Sequence, residues 1–176
     1  ALITENFGFG ISQFDFSQNG NKWVFTYSQN PTEDANIIYA DFPKKEGVFI
    51  DSGVWAEVQW PAISPDGKRV VYQKTGTDGE TGEIKNFIWL YDSEAREENT
   101  AQNASEPTDS ELQDAENQEG APGEFQNPKK IGEGTPIMWV NDQYLITEQL
   151  IPDETGMLTK IKVLLDLKTK KVLEIY

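Results

Sequence analysis

The chain has 176 residues, 30 acidic against 15 basic side chains, a formal charge of −15, and neither histidine nor cysteine. That balance excludes a nucleic-acid binder working through a cationic footprint. The missing residue types exclude disulfides, thiol chemistry, cysteine-ligated zinc and any catalysis or metal site that needs imidazole.

With 37% apolar residues the chain has material for one core of roughly 130 to 140 residues, and its length suggests a single domain over 1–176. No apolar run is long enough for a membrane span, and the segment from Ala1 onward does not read as a secretion signal. Strand signals bounded by turn residues dominate. Leu2-Ile3-Thr4-Glu5 reads as the last strand of a preceding unit. A first unit, about 11–51, carries Phe14-Asp15-Phe16-Ser17-Gln18-Asn19-Gly20-Asn21-Lys22-Trp23-Val24-Phe25, then strands at 36–41 and 47–51. A second, about 57–133, repeats the opening segment at an offset of 47 as Pro61-Ala62-Ile63-Ser64-Pro65-Asp66-Gly67-Lys68-Arg69-Val70-Val71-Tyr72, followed by strands at 87–92 and 129–133. A third, about 136–176, is looser, with a shortened turn inside 137–146 and strands at 161–166 and 171–176.

The turn chemistry is local and specific. Asn19-Gly20 and Asp66-Gly67 are expected to supply the positive φ angles of a tight hairpin, and Pro65 sets φ at the preceding corner. Asp41, Asp92 and Asp166 close the third strands, where a carboxylate can bond nearby backbone. Trp23, Trp89 and Trp139 fall within strands and read as packing residues. Four-stranded antiparallel units stacked radially make a β-propeller. The expected fold is therefore all-β, with about three propeller-type blades in a partial or open propeller.

The charge is concentrated in one place. Residues 93–128 hold ten acids and one base, −9 in 36 residues, which leaves −6 for the rest of the chain. With Leu112 and Phe125 as its only large apolar residues, this stretch reads as an acidic low-complexity insertion in the second unit, at most helical around 110–117. Asn103-Ala104-Ser105 fits a glycosylation sequon by chance composition. No cofactor is implied. Calcium is the one cation the acidic insertion invites, yet the EF-hand spacing is absent around Asp114-Ala115-Glu116.

Ser64-Pro65-Asp66-Gly67-Lys68 matches the turn of the TolB-like propeller repeat, and the whole chain outside the insertion resembles that family. Ser17-Gln18-Asn19-Gly20-Asn21 departs at the proline, and the third unit lacks the glycine turn. The resemblance implies a non-enzymatic protein-binding or scaffold module of the bacterial envelope or cell surface, periplasmic or extracellular. Similar propellers also gate prolyl-oligopeptidase-type serine peptidases, so the alternative is the propeller part of a larger hydrolase whose catalytic domain lies outside this sequence. Here no G-x-S-x-G elbow and no histidine occur, so no serine triad can be built from this chain. A two-carboxylate glycosidase is not singled out, because 30 acids make close pairs inevitable. A structural surface protein with a calcium-binding acidic loop is the third reading.

A meander sorts its loops by end. The insertion shares one end with the Ser-Pro-Asp-Gly turns; the other end carries Glu33 and Asp34, Asp78, Glu80 and Glu83, and Asp153 and Glu154. Both rims would be acidic, which suits a basic protein partner and neither nucleic acid nor membrane insertion. Candidate contact residues are Trp55, Trp60, Asp78, Glu80, Asp153 and Glu154; the two tryptophans could stack on a sugar or peptide, with inter-blade packing the favoured role. Closed propellers have four to eight blades, so three units imply the rest of a longer propeller, self-association of two copies into a ring of six, or an open capped stack.

Overall fold

Three hairpins are closed by nearly the same atoms. In the computed structural model, which describes residues 10–28, 34–54, 57–95 and 128–175, Ser17 Oγ donates to Asn19 and accepts from the Lys22 amide at 2.8 and 3.1 Å. Ser64 Oγ repeats this with Asp66 and the Arg69 amide at 2.6 and 3.0 Å. Gly20 and Gly67 then turn the chain at φ of 70° and 75°. The positive φ belongs to the glycines alone: Asn19 and Asp66 act through their side chains, each accepting the amide two residues on, which corrects the expectation that both turn residues share it. The third turn is one residue shorter, and Asn141 Oδ1 takes the serine's place by accepting the Gln143 and Tyr144 amides at 2.9 and 3.0 Å.

Twelve strands result. The first sheet contains β1 (Ile11–Phe16), β2 (Lys22–Tyr27), β3 (Asp34–Asp41) and β4 (Glu46–Val54). The second contains β5 (Val58–Ile63), β6 (Arg69–Thr77), β7 (Ile84–Asp92) and β8 (Lys129–Glu133). The third contains β9 (Thr135–Trp139), β10 (Tyr144–Pro152), β11 (Leu158–Asp166) and β12 (Lys171–Ile175). Each sheet is an antiparallel meander of four consecutive strands, and no strand is exchanged between sheets among the described residues. These are the four-stranded blades expected from the repeat. Leu2–Glu5, Glu33, Trp55, residues 96–127 of the acidic insertion and Tyr176 lie outside the described residues.

Register explains why the strand-end aspartates recur. Lys22 pairs with Asp41, Arg69 with Asp92 and Tyr144 with Asp166 at the same place in each sheet. Every one of these carboxylates also accepts a backbone amide just beyond its strand: Lys44, Glu94 and Lys168, respectively.

The sheets stack through two apolar seams. Val24, Ile37, Tyr39, Val48 and Ile50 of the first sheet pack on Val58, Ile63, Val70, Tyr72 and Tyr91 of the second. Ala62, Val71 and Ile88 from the second sheet's other face pack on Trp139, Leu145 and Leu165 of the third. The near-continuous apolar runs Val70-Val71-Tyr72 and Phe87-Ile88 are thus explained, since a blade with neighbours on both faces buries successive residues of one strand. Trp139 and Trp89 pack in these seams as the sequence suggests, while Trp23 is half-buried among Phe14, Phe16 and Phe42. No helix among the described residues is long and apolar enough to cross a membrane.

Candidate functional site

The first strand of each blade is the innermost one, and β5 packs between β1 and β9. Polar side chains fasten these strands to one another. Gln13 Oε1 accepts the Trp60 amide at 2.6 Å, and Asp15 Oδ2 accepts the Ile63 amide at 3.0 Å. Across the next junction, Trp139 Nε1 donates to the Ala62 carbonyl at 3.2 Å, and the Asp66 amide donates to Asp142 Oδ1 at 3.0 Å. Arg69 adds a bond to the Asp142 carbonyl at 2.7 Å.

Between the three strands lies a groove of about 700 Å³ that reaches the Ser17, Ser64 and Asn141 turns, where Gln18, Pro65 and Asn141 line it. Exposed apolar side chains, Phe14, Phe16, Ile137, Met138 and Val140, line it together with Asp15, Gln18, Asn141 and Asp142, and polar atoms make up the larger part of its surface. Of the two carboxylates in the wall, Asp15 spends both oxygens on the Phe16 and Ile63 amides, and Asp142 holds the Asp66 amide. Asp66 sits beside the groove. Partial burial pushes its carboxyl up, but the Ser64 hydroxyl, the Lys68 amide and the charges of Lys68 and Arg69 outweigh that and leave it below the usual carboxylate range. Asp15 and Asp142 thus serve the junctions between the inner strands, each holding an amide of the second sheet or its turn.

The residues singled out from the sequence fall elsewhere. Asp78 closes the β6–β7 loop; its carboxylate accepts the Glu80 and Thr81 amides and binds Lys85 Nζ at 2.9 Å. The Lys85 ammonium first, then those amides, hold it well below the ordinary carboxylate range. Asp153 does the same for the β10–β11 loop, where the Thr155 hydroxyl and amide and the Met157 amide lower its carboxyl. Glu80 and Glu154 are exposed beside them. None of these four lines the groove. The two loops share an end of the sheets, as the meander requires, and the opening of the insertion sits at the other end, where the Ser93 amide binds the Lys68 carbonyl at 2.9 Å.

Trp60 lies on β5 at a φ of 54°, where the β5–β6 register slips between Gln59 and Ala62, and it is 51% exposed. It is therefore not the inter-blade plug that the sequence favours; the seam behind it is filled by Val58 and Ile63. Among the described residues no three acidic side chains are gathered closely enough to hold a metal ion. The groove itself went unmarked in the sequence. Its one signal is the continuous apolar run 137–140 beside a turn, where a half-solvated strand would alternate.

No protein-family model matches the chain, and no curated protein matches its sequence. Solved structures do. The chain is similar to the β-propeller domain of the trilobed protease from Pyrococcus furiosus, which has an open velcro topology, at 18% identity and a TM-score of 0.53 over 93% of this chain and 41% of that one. It is similar to the acylaminoacyl peptidase of Pyrococcus horikoshii at 12% identity and a TM-score of 0.55, covering 94% of this chain and 25% of the other. An isopeptidase in its apo form gives 13% identity and a TM-score of 0.50 over 93% and 28%. The fold is that of β-propeller blades. The chain spans from about a quarter to two fifths of the length of these neighbours.

Proposed function

We propose that this chain is the propeller part of a larger hydrolase of the prolyl-oligopeptidase type, contributing surface and access control and leaving the chemistry to a domain outside residues 1–176. The observation that carries this is the groove: three inner strands converge on a mixed surface of exposed apolar side chains and polar groups whose two carboxylates bind backbone amides, in a chain with no histidine. Propellers of a protease and of peptidases among the structural neighbours support the setting. The complete gene tests it. A G-x-S-x-G elbow and a histidine encoded in the same reading frame outside this segment agree with the proposal; a reading frame with no hydrolase domain overturns it.

The intact Ser64-Pro65-Asp66-Gly67-Lys68 turn favours a second reading, a TolB-like binding or scaffold module of the bacterial envelope, periplasmic or extracellular, with a basic protein partner met by the acidic rims. Capture of a cationic protein, lost at high salt, would support it.

A further inference from the structure

We infer that the outer face of the third sheet is the seat of a further four-stranded blade. The relation between strands is the same in every sheet, so positions can be matched by register. Val71 pairs with Ala62 on one side and Leu90 on the other. In the third sheet Ile146 pairs with Met138 and Leu164, and Leu164 with Leu173. Cross-strand partners share a face, so Met138, Ile146, Leu164 and Leu173 form one apolar row across all four strands.

The corresponding rows in the other two sheets are covered. Val24 and Tyr39 of the first sheet lie under the second, and Ala62 and Val71 of the second lie under the third. Ala62 is 7% exposed and Val71 not at all, whereas Met138 is 53% and Leu173 57% exposed, with Ile175 on the same face at 40%. A run of large aliphatic side chains at positions that are seams twice over is a third seam without its partner.

The occupant follows from what sits on the two covered rows. Both receive large apolar residues from the second strand of the next sheet, Val70 and Tyr72 in one case and Leu145 in the other, backed by Ile63 or Trp139 from its inner strand. The expected partner is a sheet presenting the same set. Its rim should carry an acid, because Lys162 and Lys171 are exposed on this face while Lys160 is already bound to Glu148 at 2.6 Å. The first seam shows such a pairing, with Asp51 of one blade bound to Lys74 of the next. The inference rests on the propeller fold and stands whether or not a hydrolase domain accompanies it.

Hydroxyl-radical footprinting of the complete gene product reads the face directly. The chain has two methionines, and Met157, 70% exposed on the β10–β11 loop, is the internal reference. A further blade predicts that Met138 is modified at least ~10-fold more slowly than Met157, and Leu173 at least ~10-fold more slowly than Leu158, which is 64% exposed, at any dilution, in a species of monomer mass by light scattering. Modification of Met138 at a rate comparable to Met157, and of Leu173 at a rate comparable to Leu158, would overturn the inference. So would protection that disappears on dilution together with a dimer mass, which would make a second copy the occupant.

Discussion

Tyr72 of the second blade donates its phenolic hydrogen to Asp51 of the first, 2.6 Å away, and Lys74 Nζ binds the same carboxylate at 2.9 Å. Tyr72 is fully buried, so this is the polar fastening of an otherwise apolar seam. Burial first, and then the Asp51 carboxylate, push the phenol far above its usual range.

Tyr72→Phe keeps the ring and removes one charge-assisted hydrogen bond, for an expected loss of about 1.5 to 3 kcal/mol. Asp51→Ala should cost more, because it leaves the buried hydroxyl without an acceptor and Lys74 with only the Ser52 carbonyl at 3.4 Å. Urea unfolding of the two variants checks the order. In the wild type, Tyr72 should also fail to ionise before the fold is lost, which absorbance titration of the phenolate band would show.

Two glycines in matching turns separate conformation from crowding. Gly20 and Gly67 share a positive φ, but a Cβ on Gly20 meets nothing within 4 Å, whereas one on Gly67 would lie 2.7 Å from Lys22 Cδ and 3.0 Å from Ser17 Cβ. Gly20→Ala should cost about 1 to 2 kcal/mol for the left-handed backbone alone. Gly67→Ala should cost about 1 to 3 kcal/mol beyond that, because the lysine can swing aside and the serine cannot. Thermal melts of the pair give the difference; equal losses would mean that the two turns are not docked as described.

Acid should weaken the fold in a defined window. The Asp166 carboxyl is lowered to about 2 by the Gln143 side-chain Nε2 first and, against a burial penalty, by the Thr169 hydroxyl and the Lys168 and Thr169 backbone amides. An unfolded aspartate titrates near ~3.9, so the unfolded chain takes up the proton more readily. The stabilisation is complete above about pH 4 and is lost as pH falls through about 2. Asp78 and Asp153 shift in the same direction. Asp166→Asn should flatten the fall in melting temperature across that window while lowering it little at pH 2, as scanning calorimetry would report.

The strand inventory and the blade repeat were legible because their determinants are local. Ser64, Asp66, Gly67 and Arg69 make one hairpin among themselves, and an offset of 47 brings Ser17, Asn19, Gly20 and Lys22 into register with them. Asn141 is different: the third unit lacks the glycine turn and looks looser than the other two, yet one carboxamide closes its shortened hairpin. The groove was illegible for a different reason. It depends on Gln13 reaching Trp60 and Asp15 reaching Ile63, contacts between sheets that no periodicity within a strand encodes. Asp78 and Asp153 drew attention as rim acids, and their carboxylates proved to be occupied in closing their own loops.

A fluorophosphonate probe applied to the complete gene product, followed by mass mapping of the labelled peptide, tests the proposal of a non-catalytic propeller lobe most directly. Stoichiometric labelling of one serine outside residues 1–176 is expected. Labelling of a serine within this segment, or no labelled serine at all, would contradict it.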